Sequence, residues 1–349
     1  MKKPAKSARK PVKTVNVAKA ARAPRSLAGT KAPRLSDRLR GRSLPHIGLL
    51  SREELDEIIR LGEWFRDNRY DMTYATRLQG RVQGLIFVYP STRTRLGFET
   101  AFAQLGGSNS YMPVEQTQMG RGESAADTAR AMDQYVDCFS GRLWKQDDMD
   151  TFAKNMSKPV FNACTPVDHS THVLGELMAI KQAKGRLDGL NLVYTGMARG
   201  ILHSMVRVCP LLGINLTLAI PASYARTLNQ PIMDEGKQRA EKAKTRLAVV
   251  TDLKEAVKDA DFIQASTLIR SMLAGEQSPE EKEVEIPRWT VTTEVLACAK
   301  PDCLYSHSGP AHRGVCATDE VMDGPKSIIP HEALNAIYSK KALFALIVK

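Results

Sequence analysis

Ser91, Thr92, Arg93, Thr94 and Arg95 follow a short apolar run, residues 84–89 (Gly-Leu-Ile-Phe-Val-Tyr), and open a segment, residues 96–105, whose apolar residues recur at helical spacing. A strand that delivers three hydroxyls and two guanidiniums to the first turn of a helix makes a site for a small, highly charged oxyanion. Free backbone N–H groups and the positive end of the helix dipole point at the anion, and arginine adds planar, bidentate donors. A hydroxyl N-cap followed by solvated arginines would give the same pattern. Five consecutive polar donors after a buried strand favour the anion.

Taken alone, Arg142 reads as a solvated strand-end charge and His169 as a cap of the helix that begins near Asp168. Cys298, Cys303, His307 and His312 lie close in sequence, but no C-x-x-C pair is present, so no metal and no cofactor are expected. The six cysteines are scattered without a secretory signal and read as reduced thiols in a cytosol-like compartment.

These residues need a scaffold, and 349 residues are enough for two domains. The chain shows the alternation of a layered α/β protein. Ser51-x-x-Glu54 is a capping box ahead of an amphipathic helix carrying Leu55, Ile58, Ile59, Leu61 and Trp64. Strands are predicted near 108–112, 136–140 and 159–162, and a long helix over 168–183. A second set of strands is predicted at 191–195, 214–220, 247–251, 261–265 and 303–306, with a closing helix over 331–348. Two such sets imply two doubly wound parallel-sheet domains with a cleft between them, the boundary falling near 184–188. The expected division is a tail over 1–43, a first domain over 44–184 that the last helix packs back upon, and a second over 185–330.

The net charge of +12 belongs mostly to the tail: residues 1–36 hold eleven Lys or Arg and no acid, and twelve less eleven leaves +1 for the rest. This stretch, rich in Ala, Pro and Lys, is expected to be disordered. It reads as a solubilising extension, an arm for nucleic acid or an acidic partner, or a transit peptide. No run of residues is apolar enough to span a bilayer. A cytoplasmic location is expected, with the mitochondrial matrix as the alternative; nucleic acid and membrane are not expected as partners.

From residue 44 on, the chain resembles the aspartate and ornithine carbamoyltransferases. Ser91–Arg95 is similar to the family's carbamoyl-phosphate loop, and residues 120–130 (G-R-G-E-S-A-A-D-T-A-R) to its mobile loop and helix. Residues 135–142 resemble the strand that ends in a substrate-binding arginine; His169-Ser170-Thr171-His172 stands for H-P-T-Q, and His307-Ser308-Gly309-Pro310 for H-C-L-P. Residues 318–325 (T-D-E-V-M-D-G-P) resemble the ornithine branch. The resemblance implies transfer of a carbamoyl group from carbamoyl phosphate to an amine, with Arg93, Arg142 and His169 as catalytic groups. Ser91, Thr92, Arg93, Thr94, Arg142, His169, His172 and Arg313 would bind carbamoyl phosphate. Arg270, Ser271, Met272, Ser308 and Gly309 would bind the amine. It also implies a homotrimer in which Arg121 of the mobile loop completes a neighbour's site.

The departures lie mainly on the amine side. The D-x-x-x-S-M-G loop of ornithine enzymes is here residues 266–273 (S-T-L-I-R-S-M-L), without its acid, and Gly-Asp after the first strand is Gly196-Met197. His172 replaces a glutamine that would hold the carbamoyl NH2; a neutral imidazole still accepts through one nitrogen, but adds sensitivity near the ordinary imidazole value of about 6.5. Ornithine is the best single acceptor, with aspartate, putrescine, lysine or an acylated ornithine as alternatives. A non-catalytic anion sensor and a tail-mediated interaction are the remaining readings.

Overall fold

The computed structural model describes residues 26–268 and 286–349. The first sheet has strands β1 (Val82–Phe87), β2 (Ser108–Pro113), β3 (Cys138–Arg142) and β4 (Val160–Cys164), in the order β2-β1-β3-β4. The second has β5 (Asn191–Thr195), β6 (Asn215–Ala219), β7 (Leu247–Val250), β8 (Phe262–Ala265) and β9 (Leu304–His307), in the order β7-β6-β5-β8-β9. Every pairing is parallel. In each sheet the chain runs outward on one side and returns to the other, between β1 and β3 and between β5 and β8. Those two switch points, at the strand C-termini, are where an open α/β sheet leaves a crevice for ligand.

Helix α1 (Arg52–Asp67) starts with the predicted capping box: Ser51 accepts from Glu54 N, and the Glu54 side chain accepts from Ser51 N. Helices α2 (Thr92–Ala103), α3 (Ala125–Met132), α4 (Gln146–Asn155), α5 (Ser170–Lys184) and α6 (Gly200–Val208) follow in chain order. The C-terminal helix, Ile329–Ile347, packs against α1, α2 and α5, as expected. Its Phe344 ring meets Phe98, Phe102 and Phe161 edge-on at 5.8, 5.0 and 5.0 Å. Gly175 lets α5 approach closely, since a Cβ there would lie 2.8 Å from Ala336 Cα.

One expectation needs correction. The tail does not extend to residue 43: residues 26–43 are laid onto α1. Leu27 N donates to Asp67 Oδ2 at 2.8 Å, Gly29 N to Asn68 Oδ1 at 2.8 Å, and Trp64 Nε1 to Thr30 O at 3.1 Å. Leu39 is buried, and Leu27 and Leu35 pack on the same core. Sparse leucines suffice because a finished helix supplies the opposing apolar face and hydrogen-bond partners. Residues 1–25 lie outside the described residues.

Candidate active site

The first switch point carries the anion loop. Ser91 is the N-cap of α2, its hydroxyl accepting from Thr94 N at 3.4 Å, so both readings of this motif meet in one residue. Thr92 and Arg93 are exposed on the first turn, and Thr94 is buried. Arg95, counted among the donors from sequence, turns away: it pairs with Glu99 at 2.9 Å and stacks over Tyr111, its Cζ 3.5 Å from the ring centroid.

Arg142 ends β3 beside the loop. Its Cζ lies 4.1 Å from the centroid of Tyr89, and its Nε is buried without a hydrogen-bond partner. Trp144 backs the Tyr89 ring at 4.9 Å. Burial pushes the Tyr89 phenol up, with Cys164 adding to this, while Arg142 and Arg199 oppose it. Arg199 sits between β5 and α6, so the two switch points face each other across one cleft.

His169 stands at the N-cap of α5 but caps nothing with its side chain. Its backbone N donates to Ser204 Oγ at 2.9 Å, and Ser204 donates to the buried Asp168 at 2.9 Å. Asp168 also accepts from Ile47 N and Ser170 N, so the turn is held from three elements. The imidazole is buried with Nδ1 unpartnered. Burial depresses its pKa well below the usual value, helped by His172, Arg142, Lys340 and Arg93. A histidine kept neutral among cations can still give one N–H to a polarised oxygen.

The opposite wall comes from β8 and β9. Gly309 has φ +60°, and a Cβ there would lie 2.5 Å from Arg93 Nη2 and 2.6 Å from Arg93 Cζ. The Arg93 guanidinium therefore crosses from the first sheet's loop to the second's. Gly309 N donates to His307 Nδ1 at 2.8 Å, and Ser308 Oγ lies 3.0 Å from Ser266 Oγ at the end of β8. Gly196, with φ +142°, meets Ser266 closely on the β5 side.

One expectation differs here, and another falls on residues that are not described. Arg313 is not turned to the anion loop: its guanidinium is shared between Asp319 at 2.8 Å and Asp323 at 2.8 Å, half exposed. Arg270, Ser271 and Met272 lie outside the described residues.

Sequence reasoning missed several groups beneath the cleft. His172 Nε2 lies 3.0 Å from Glu332 Oε1 and 3.9 Å from Glu176 Oε2. Ser306 Oγ donates to Glu332. Burial pushes Glu332 up, but His172, Ser306 and His307 outweigh it and hold the carboxyl below its ordinary range. Burial, then the charge of Glu332, push Glu176 well above its own. Lys340 is buried on the C-terminal helix, its Nζ donating to Ala336 O at 2.8 Å. Only Lys340 left a signal in sequence, a cation on the apolar stripe of Ile337, Phe344 and Ile347.

Comparison with known proteins matches both halves of the chain. A family model described as "Aspartate/ornithine carbamoyltransferase, carbamoyl-P binding domain" matches residues 42–182. Its companion, the "Asp/Orn binding domain", matches 188–347. An ornithine carbamoyltransferase of Thermococcus kodakarensis is 34% identical over 310 residues, covering 88% of this chain and 97% of that protein. One from Oceanobacillus iheyensis is 32% identical, covering 87% and 94%. The solved ornithine carbamoyltransferase of Pyrococcus furiosus superposes with a TM-score of 0.84 at 32% identity, covering 89% of this chain and 98% of that one.

Proposed function

Because the chain belongs to the aspartate/ornithine carbamoyltransferase family, we propose that it carries a carbamoyl group from carbamoyl phosphate to the side-chain amine of ornithine, giving citrulline and phosphate. The observation that supports this reading is the Arg93 guanidinium seated against Gly309, which brings residues 91–95 and 308–309 together from the two sheets.

The chemistry asks for donors in two places. Carbamoyl phosphate joins a phosphate dianion to a planar carbamoyl group, and an uncharged amine must attack the carbonyl carbon. Ser91, Thr92, Arg93 and Thr94, with the free N–H groups at the start of α2, grip the phosphate and stabilise it as it leaves. Thr94, Arg142 and His169 polarise the carbonyl oxygen, where negative charge develops. The buried Arg142 Nε and His169 Nδ1 have no hydrogen-bond partner among the described residues, as preorganised donors or acceptors should. As the C–N bond forms, the C–O bond to phosphate breaks, and the departing phosphate takes the amine proton. Holding both substrates in one cleft turns a bimolecular attack into an oriented one. Ser308 and Gly309, with Arg270, Ser271 and Met272, are the proposed amine-side contacts. Residues 44–184 with the last helix would serve carbamoyl phosphate, and 185–330 the amine.

We further propose a cytoplasmic homotrimer in which exposed Arg121 completes a neighbour's site, with the mitochondrial matrix as the alternative if residues 1–25 are a transit peptide. Among the described residues no helix is long and apolar enough to cross a membrane. The decisive assay is labelled carbamoyl phosphate with ornithine, putrescine, aspartate, lysine and acylated ornithines. Labelled citrulline is expected from ornithine. No product from any of them would reject the reading.

A further inference from the structure

The C-terminal helix brings a carboxylate into the middle of the molecule, where neither sheet supplies one. Glu332 is buried, and its two oxygens are engaged from opposite sides of the cleft. Oε1 lies 3.0 Å from His172 Nε2 on α5, and Oε2 accepts from Ser306 on β9. The first contact is close, although it is not aligned as an ideal hydrogen bond. Glu176, one turn along α5, stands farther off at 3.9 Å and is pushed toward its neutral form, so Glu332 is the charge that His172 meets. The two nitrogens of this ring are not equivalent. Nε2 is sealed from solvent, while Nδ1 is neither sealed nor engaged by a group among the described residues, and the side chain stays 14% exposed. The ring lies beside His169, with centroids 5.1 Å apart.

A neutral imidazole carries its proton on one nitrogen and a lone pair on the other, and the partner of the first decides which. A carboxylate at Nε2 favours the proton there. We propose that Glu332 is a positioning residue for the carbamoyl group: it holds the Nε2–H tautomer of His172, which leaves the Nδ1 lone pair to accept from the carbamoyl NH2. The opposite tautomer would turn an N–H toward the substrate's own N–H groups. Because Ser306 anchors the same carboxylate on β9, the orientation of the carbamoyl acceptor depends on both sheets. This inference rests on the carbamoyl-transfer reading.

The test is a double-mutant cycle on the full chain with the amine that the wild type uses. Glu332→Leu lowers kcat at least tenfold, while Glu332→Gln, whose amide oxygen still accepts from Nε2–H, recovers most of the loss. In a His172→Gln background the residue carries its own acceptor oxygen and has no tautomer to choose. The loss caused by Glu332→Leu is then at least threefold smaller than with His172 present. Any smaller ratio overturns the proposal and leaves carbamoyl transfer intact; a wild type without turnover on any amine overturns both. If Glu332→Leu does not fold, nitrogen-15 spectra of histidine-labelled wild type at pH 8 decide. A protonated Nε2 and bare Nδ1 at His172 are expected, and the reverse assignment overturns the proposal.

Discussion

At Gly309, an added methyl group would test how much of the site depends on one guanidinium. Its backbone has φ +60°, a conformation costing an L residue about 1–2 kcal/mol, and the methyl would land 2.5 Å from Arg93 Nη2. Gly309→Ala should therefore reproduce much of Arg93→Ala. Arg93→Ala removes a charge-assisted contact of about 1.5–3 kcal/mol and should weaken carbamoyl-phosphate binding by roughly 10- to 150-fold. Gly80→Ala is the control, since Gly80 has φ +77° with nothing within 4 Å of an added Cβ. It should lose stability and keep its carbamoyl-phosphate affinity. Titration calorimetry with carbamoyl phosphate separates the two; unchanged affinity in Arg93→Ala would remove that residue from the cradle. Residue types marked Ser91 and Thr94 in the sequence, because hydroxyls at a helix start carry chemistry, whereas Arg142 and His169 stood out only through the family resemblance. Glu332 was illegible for the converse reason: an acid in the first turn of a helix is what the helix dipole favours anyway, and nothing local reveals that it is buried.

Elements were more legible than contacts. The second sheet's first strand was read at 191–195 and is found there, because a short apolar run between polar stretches fits few other structures. The third strand was read two residues early. Asp137 accepts from Val82 N at 2.8 Å and from Arg81 Nη1 at 3.0 Å, so its carboxylate takes the entry to the sheet and the ladder starts at Cys138. The C-terminal helix was placed correctly, yet Lys340 on its apolar face was passed over. Burial alone pushes that ammonium down to about 7. The unfolded chain keeps a lysine near 10.4, so between pH 7 and 10 it binds the proton more readily than the fold, and stability rises with pH across that window. Below pH 7 both states are charged and the penalty is complete. Lys340→Met should accordingly raise stability by on the order of a few kcal/mol at pH 6.5 and by little near pH 10. The same change removes a cation felt by His169 and packed against Gly97 of α2, so anion affinity should fall severalfold. Melting temperatures at the two pH values and phosphate titration check both halves; equal gains at both would contradict the burial argument.

Across the whole molecule, His169, His203 and His307 are buried, and acid should expose the cost. Burial pushes His203 and His307 down to about 4, and His169 well below its usual value. Between pH 6.5 and 4 the unfolded chain takes up protons that these folded histidines refuse. Their contribution is therefore whole above pH 6.5 and is lost as pH falls toward 4, by up to about 1.4 kcal/mol per pH unit for each. Burial raises Asp168 and Glu176 instead, so the fold keeps protons on them that the unfolded chain releases, which opposes the loss. His203 is the one to remove, because it is buried on α6 beside Ser204, the partner of Asp168, with its Nε2 accepting from Asn229 N at 3.5 Å and the Pro166 backbone against its ring. His203→Gln deletes its titration without entering the cleft. Urea midpoints at pH 7.0 and 5.5 should differ less in that variant than in wild type, by the equivalent of about 1–2 kcal/mol. An unchanged difference would mean that His203 already carries its proton in the folded molecule, and that the interior between the sheets is wetter than its packing implies.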